Sequence, residues 1–372
     1  MDNYFTSFDW EKIMSLHKPS DYDIREYHRL LSAELPYFLD KYLELPILTR
    51  LKGIGLLCGT DWTSLYNNRF YYSRYQHSLG VALIIWHFTH NKAQTIAGLL
   101  HDVSTPVFSH VADFRLGDAL TQTATEALNA NLIEADEKLL ECLKEDGLTV
   151  EQVNTYHLYP IADNEIPQLS ADRLEYMFPS GMALDGSWDL HSIKVCYNDL
   201  VIAQNEFDST EMAFQTYEIA EEYCRRFCLT GHILQLNENK LTLQLLGHIL
   251  NLALQKTILQ EKDFMKLSER EIFEKIEAYH REFGNVYDDG GVYRLYRTFR
   301  KMKKIEHTDE PLDPEKYFCV SLDVKQRYIN PLVLTDTKAV RLDTISKQAK
   351  KYIDDFLAFK DTAYGCVELI DD

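Results

Sequence analysis

Residues Arg69–Asp113 read RFYYSRYQHSLGVALIIWHFTHNKAQTIAGLLHDVSTPVFSHVAD, and the reading of this stretch decides the fold. Two apolar runs, LGVALIIW and IAGLL, flank the polar break HFTHNKAQ. Both are helical in composition. In the first, Val81, Leu83, Ile84, Ile85, Trp86 and Phe88 keep the helical period and cover nearly the whole circumference, which marks a buried helix. Polar groups gather at the ends of the runs: His77 before the first, the pair His101-Asp102 after the second, then His110 with Asp113 three residues on. Imidazoles and carboxylates are costly to bury unless something pairs with them. A divalent cation shared by both helices is a fitting partner.

The second helix is expected over Ala93–Val103, ending near Thr105 because Pro106 disfavours helix in the residue before it. His101 and Asp102 then occupy its last turn. Neighbouring side chains on a helix diverge by about 100°, so one ion serves both only from the seam between them. Phe108–Asp113 reads as a new helical turn, with His110 and Asp113 on one face. His87 and His90 lie roughly 280° and 220° round from His77 and do not share its face; they are expected at a partly exposed helix end.

A His, about two dozen residues, then a His-Asp dipeptide after an apolar run resembles the HD-superfamily metal-dependent phosphohydrolases. The nearest subgroup contains the dNTP triphosphohydrolases, whose segment runs R-x-x-H-S-x-G … HD-x-G-H-x-P-F-S-H. Arg74-Tyr75-Gln76-His77-Ser78-Leu79-Gly80, His101-Asp102 and Phe108-Ser109-His110 match it. The family's last ligand is an Asp in a D-R-L-x-Y-like helix, and Leu169-Ser170-Ala171-Asp172-Arg173-Leu174-Glu175-Tyr176 supplies Asp172. The resemblance covers roughly residues 65–185. It implies a mainly α fold, an HD-domain helical core with a small α/β C-terminal appendage. It implies metal ligands His77, His101, Asp102 and Asp172. Arg74 and Arg173 are expected to bind substrate. His110 is expected to act as general acid or base, with Asp113 orienting it and raising its pKa. Taken apart from the family, Asp172 reads equally as a carboxylate stabilising a helix N-terminus, and His110–Asp113 as an ordinary helical pair.

Two imidazoles with two carboxylates suit one divalent transition metal, Mn, Fe, Co, Ni or Zn, better than an all-oxygen Mg site. The family carries a His three residues after the Asp of its HD pair, where this chain has Thr105. It also carries a later catalytic His whose nearest counterpart here is Thr125-Glu126. Both groups belong to triphosphate chemistry. A phosphomonoesterase or another nucleotide phosphohydrolase therefore fits at least as well as a dNTP triphosphohydrolase. The alternative is a catalytically weak metal-containing module that senses a nucleotide or a protein partner.

The 372 residues are 45% hydrophobic, ample for a real core. A net charge of −19 repels phosphate backbones, so broad nucleic-acid binding is not expected, while a small phosphorylated substrate such as a nucleotide can still enter a locally cationic cleft. No apolar run approaches the length of a membrane span. The N-terminus MDNYFTSFDWEK lacks a signal pattern, so a cytoplasmic protein is expected. The seven cysteines are scattered and odd in number, and read as reduced thiols.

The chain divides into an N-terminal helical segment (1–64), an HD-type core with scaffold helices (65–290) and a C-terminal part (291–372). Ser170 is a plausible N-cap for the Asp172 helix. Residues 188–285 carry long helical patterns, in which His232, His248 and His280 read as structural. Arg294, Arg297, Lys301 and Lys304 form a basic stripe that could meet a phosphate, an acidic patch on another subunit, or only nearby acidic side chains. YFCVSLDVKQRYINPLVL alternates and predicts a small sheet, and Thr344–Phe359 a last helix. The family also implies a homo-oligomer.

Overall fold

The computed structural model describes residues 21–66, 68–120, 129–283 and 290–371. Thr125 and Glu126 lie outside the described residues.

Helix α1 (Asp21–Leu31) packs on α2 (Arg74–Thr89). Ser73 and Gln76 close a capping box at the start of α2, and left-handed His90 ends it. Helix α3 (Lys92–Leu100) lies along α2. Gly98 permits this: a Cβ there would stand 2.3 Å from Ile85 Cδ1. Helix α3 stops three residues short of the expected end. His101 is its C-cap, and the turn tightens, with Val103 N donating to Leu100 O at 3.2 Å and Thr105 N to Asp102 O at 2.9 Å. Phe108 and Ser109 take positive φ angles of 63° and 54°, and α4 (Val111–Arg115) follows with His110 as N-cap.

Beyond α5 (Glu137–Glu145), α6 (Ala171–Leu184) begins at Ser170, whose side chain accepts from Arg173 N as a cap should. It crosses α2 at Gly80, where a Cβ would come within 2.3 Å of Glu175 Oε1. These two close approaches place the first turn of α2, the end of α3 and the first turn of α6 side by side.

After α7 (Leu190–Asn198), a hairpin of β1 (Leu200–Gln204) and β2 (Thr210–Phe214) interrupts the stretch expected to be all helical. The run LVIAQ, the turn residues around Asn205–Asp208 and the run TEMAF carry that signal, and the longer helical pattern after Thr216 obscured it. Helices α8 (Tyr217–Gln235), α9 (Asn237–Gln255), α10 (Glu269–Phe283) and α11 (Val292–Lys301) follow.

The β-rich tail splits between two sheets. Strands β3 (Glu306–Thr308), β7 (Tyr364–Glu368) and β4 (Tyr317–Val320) form one, in the order β3-β7-β4 and all antiparallel. Strands β5 (Leu332–Leu334) and β6 (Ala339–Arg341) extend the hairpin in the order β1-β2-β5-β6, with β2 and β5 parallel. The last helix, α12 (Lys347–Ala358), is capped by Ser346 and packs on α8.

Cys319 and Cys366 face each other across β4 and β7 and are joined as a disulfide, which corrects the expectation of seven free thiols. The pair is 47 residues apart, and only the strand register brings it together. Cys58, Cys142, Cys196, Cys224 and Cys228 are free.

Three buried clusters fill the interior. One joins α2, α6, α8 and α12 through Ile84, Phe178, Tyr223 and Phe356. Another packs α3 on the N-terminal turns through Leu48, Leu51, Ile96 and Leu99. The last surrounds α9 and includes Phe108, Phe273, Phe299 and Val367, so the C-terminal strands share a core with the centre of the chain. Among the described residues, no helix is long and apolar enough to cross a membrane.

Candidate metal centre

Four side chains predicted as ligands converge from three elements. His77 lies in the first turn of α2, His101 and Asp102 at the end of α3, and Asp172 in the first turn of α6. His77, His101 and Asp102 present donor atoms within 4.8 Å of one another. Asp172 Oδ1 stands 3.1 Å from His77 Nε2 and 3.7 Å from His101 Nε2, and Asp102 Oδ2 stands 3.8 and 3.6 Å from the same two nitrogens. His77 is 1% exposed and Asp102 9%.

The groups behind the ligands decide what they can hold. His77 Nδ1 lies 2.5 Å from Glu175 Oε2, a side chain with no solvent exposure. Tyr72 and Tyr27 donate their hydroxyls to Glu175 Oε1 at 2.7 and 3.2 Å. His101 Nδ1 lies 2.6 Å from the Gly98 carbonyl, which can only accept. With an acceptor behind each Nδ1, Nε2 is the nitrogen left to face inward, and once deprotonated it turns its lone pair to the centre, the arrangement in which acceptors behind metal-bound imidazoles fix the tautomer. Asp102 is held at both oxygens: Thr105 Oγ1 donates to Oδ1 at 2.8 Å and Arg74 Nη1 to Oδ2 at 2.7 Å. Two carboxylates and two imidazole lone pairs facing one another form a set that a divalent cation fits.

The charge states agree. Burial alone would push the His77 imidazolium down, but the charge of Glu175 and the bonds to Asp172 and Glu175 lift its pKa to about 10. Burial likewise raises Asp102 and Asp172, yet Arg74, His101 and His77 around the first, and His77 and His101 beside the second, hold both well below the usual carboxylate range. A metal at Nε2 needs the neutral ring, so its binding would release a proton and strengthen as pH rises.

A cavity of about 280 Å³ opens on this centre. His110 lines it, with Nδ1 2.9 Å from Asp113 Oδ2. Asp113 is fully buried, and its Oδ1 has no hydrogen-bond partner among the described residues. Asp113 raises the His110 pKa as expected, but burial, with Arg327 and Arg74, outweighs it and leaves the pKa lowered.

Arg74 and Arg173 also line the cavity, but both are engaged. Arg74 donates to Asp102 and, through Nε, to Ser109 Oγ at 2.9 Å. Arg173 donates to Asn164 Oδ1 at 2.6 Å, to Ser170 Oγ at 2.9 Å and to the Asn164 carbonyl, and pairs with Asp163 at 3.4 Å. Lys325 and Arg327 face the same cavity from the segment between β4 and β5, and sequence reasoning passed over them. It singled out Arg294–Lys304 instead. Arg294 and Arg297 meet the side chain and the carbonyl of Asp371 at 2.6 and 3.0 Å, and Lys304 meets Glu306 at 3.1 Å. None of the four lines the cavity. Glu175, Tyr72 and Tyr27 were missed as well. The one signal was the carboxylate one helical turn after Asp172.

A second group, Glu238, His307 and Asp361, also gathers ligand-type side chains. His307 Nε2 meets Glu238 at 3.0 Å and Nδ1 meets Asp361 at 3.1 Å. Its two nitrogens face different carboxylates on opposite ring edges, which makes an imidazolium bridge rather than a convergent donor set.

No family profile matches the sequence. An uncharacterized protein of Bacillus subtilis, YdhJ, is 23% identical over 319 residues, 84% of this chain and 89% of that protein. Metal-dependent phosphohydrolase cns2 of Cordyceps militaris is 29% identical over 104 residues, which span 28% of this chain and 30% of that protein. Among solved structures, a phosphohydrolase of Bacteroides thetaiotaomicron superposes with a TM-score of 0.59 at 15% identity, over 89% of this chain and 94% of that one. A hypothetical protein of Aquifex aeolicus gives 0.55 at 16% identity, over 90% and 93%. The mainly helical fold with its small sheets is thus shared, nearly end to end, with a solved phosphohydrolase.

Proposed function

We propose that this chain is an HD-type metal-dependent phosphohydrolase that acts on a nucleotide or another small phosphate ester. The observation that carries the reading is the inward convergence of His77, His101, Asp102 and Asp172, with an acceptor behind Nδ1 of each imidazole. The names of the Cordyceps militaris and Bacteroides thetaiotaomicron proteins support the same reaction class.

His77, His101, Asp102 and Asp172 would hold one divalent transition metal. Such an ion lowers the pKa of bound water, polarises the phosphoryl group and offsets developing charge. The rest of the work falls to the chain. Water oxygen bonds to phosphorus, the ester P–O bond breaks, and the alcohol leaves with a proton. His110 would move that proton: Asp113 engages Nδ1, which leaves Nε2 to take or give it. Its lowered pKa keeps it neutral, hence a base, at pH 7. Arg74 acts through Asp102, steering the carboxylate and balancing its charge. Thr105 does the same from the other oxygen. Thr105 stands where the resembling family carries a His, and here its hydroxyl serves the ligand set.

The test is release of phosphate, pyrophosphate or triphosphate from a panel of nucleotides and simple esters, with Mn, Mg, Co or Ni in turn. Asp102→Ala is the control. Metal-dependent release that the variant loses supports the hydrolase, and the product names the bond cut. No release from protein shown to hold metal would favour the sensing module.

A further inference from the structure

Between β4 and β5 the chain runs through residues 321–331 without regular structure, laid against α8. Its anchors follow the helix in reverse. Gln235 Nε2 donates to the Lys325 carbonyl at 3.1 Å, the Arg327 carbonyl lies 3.6 Å from where a Cβ on Gly231 would stand, and Cys224 Sγ meets the Ile329 carbonyl at 3.7 Å. Asn330 N donates to the Pro167 carbonyl at 3.0 Å, just ahead of the Asp172 helix. The backbone is thus held from Lys325 to Asn330. Lys325 and Arg327, two residues apart, both line the cavity that contains His77, His101, Asp102, Asp172 and His110. Arg327 lies close enough to His110, Tyr176 and Cys58 for its charge to act on all three.

Among the side chains that line the cavity cations outnumber carboxylates, unlike the protein as a whole: Arg74, Arg173, Lys325 and Arg327 stand against Asp102, Asp163 and Asp172, inside a chain of net charge −19. The carboxylates of Glu175 and Asp113 lie buried behind His77 and His110, on the side of the metal-type residues. Arg74 pairs with Asp102, and Arg173 with Asp163 and Asn164. A focused positive field in a low-dielectric cleft recruits an anion of matching charge.

We propose that Lys325 and Arg327 are the anion-binding side of the cavity and select a phosphomonoester dianion, gripping its non-bridging phosphate oxygens across from the four metal-ligating residues. The proposal rests on the phosphohydrolase reading of the site, and it makes the C-terminal part of the chain a component of the substrate pocket. Arg and Lys differ in how they serve it. The guanidinium can engage two oxygens at once, whereas the ammonium supplies a point charge.

The probe is inorganic phosphate, titrated calorimetrically into Mn-loaded protein. Wild type is compared with Arg327→Gln, Lys325→Gln, Arg327→Lys and, as a control on the distant basic helix, Arg294→Gln. Melting curves and bound Mn are recorded for each. Arg327→Gln and Lys325→Gln should each weaken phosphate binding at least about tenfold. Arg327→Lys should keep most of it, and Arg294→Gln all of it, with bound Mn unchanged throughout. On an ester substrate the same variants should raise KM more than they lower kcat. Phosphate binding as tight in both folded Gln variants as in wild type would overturn the proposal, and so would Mn-loaded wild type that binds no phosphate. Should Arg327→Gln not fold, Lys325→Gln and the charge-retaining Arg327→Lys still decide it. Phosphate binding that depends on the pair, in a protein that hydrolyses no ester, would refute the hydrolase reading and leave the anion site standing.

Discussion

Glu175 shows how far the candidate metal centre extends beyond its proposed ligands. It faces His77 Nδ1 from behind, and two tyrosine hydroxyls hold it in turn. Partners of this kind typically change metal affinity by about 10–100-fold. Glu175→Gln should therefore weaken Mn binding by that order while the protein stays folded, and Tyr72→Phe should weaken it less; competitive titration against a metallochromic chelator reads both. Unchanged affinity in Glu175→Gln would show that the His77 orientation does not depend on the carboxylate. His110 makes a prediction about pH. Burial and the nearby arginines depress its pKa, so it stays neutral further into acid than a free imidazole. The acid limb of kcat/KM should fall below pH 6.5, and His110→Gln should remove that limb together with most of the rate. A limb centred above 6.5 would assign the titration elsewhere. The convergence of the four candidate ligands was legible in the sequence because a short motif spells them out, His77 and His101-Asp102 in one stretch and Asp172 after a capping Ser170. Lys325 and Arg327 were not, because a lysine and an arginine in an irregular segment look the same whether they meet solvent or a cavity. Arg294–Lys304 misled for the converse reason: helical spacing made the stripe conspicuous, and its acidic partners include Asp371 at the far end of the chain.

At the level of elements, the site exists because α3 and α6 approach α2 closely. Gly98 and Gly80 leave the room. In Gly98→Ala the new methyl would meet Ile85 Cδ1, and overpacking of this kind costs about 1–3 kcal/mol. Chemical denaturation should show that loss. The four-stranded sheet supports α6 in another way. Arg341 on β6 reaches Glu211 on β2 with two bonds of 2.7 Å each, and Glu211, fully buried, also accepts from Leu169 N just before α6. Removing one partner of a buried pair leaves the other charge stranded, at about 3–5 kcal/mol. Arg341→Ala should lose stability on that scale and, by loosening Leu169, weaken metal binding as well; an unchanged midpoint would mean that water replaces the guanidinium. The long helices could be read from periodicity, with boundaries off by a few residues. The β1–β2 hairpin could not, because its short strands sit between helical patterns that dominate any wider window. Nor could the division of the tail between two sheets, since β2 pairs with β5 across more than a hundred residues.

Across the whole molecule, composition conceals what placement reveals: a chain of net charge −19 gathers Arg74, Arg173, Lys325 and Arg327 around one cavity. Long-range ion pairs also join the C-terminal strands to the centre. His307 bridges Glu238 at the start of α9 and Asp361 before β7. Partial burial works against its charge, but the two carboxylates outweigh this and raise its pKa above 6.5. A histidine whose folded pKa is raised contributes stability fully below its unfolded pKa and loses it as pH rises through the folded value. The difference in Tm between wild type and His307→Gln should be larger at pH 6 than at pH 9, and a difference independent of pH would assign the effect to packing. The disulfide between Cys319 and Cys366 belongs to the same long-range layer, beyond what residue spacing reveals. The centre of the account is the metal, and it is tested most directly by measuring bound Mn and phosphate release on the same samples, for wild type and Asp172→Ala, over a series of Mn concentrations. The account predicts one ion per wild-type chain, release that rises in proportion to occupancy, and loss of both in the variant. Release that persists in metal-free protein, or a wild-type chain that takes up no ion, would contradict it.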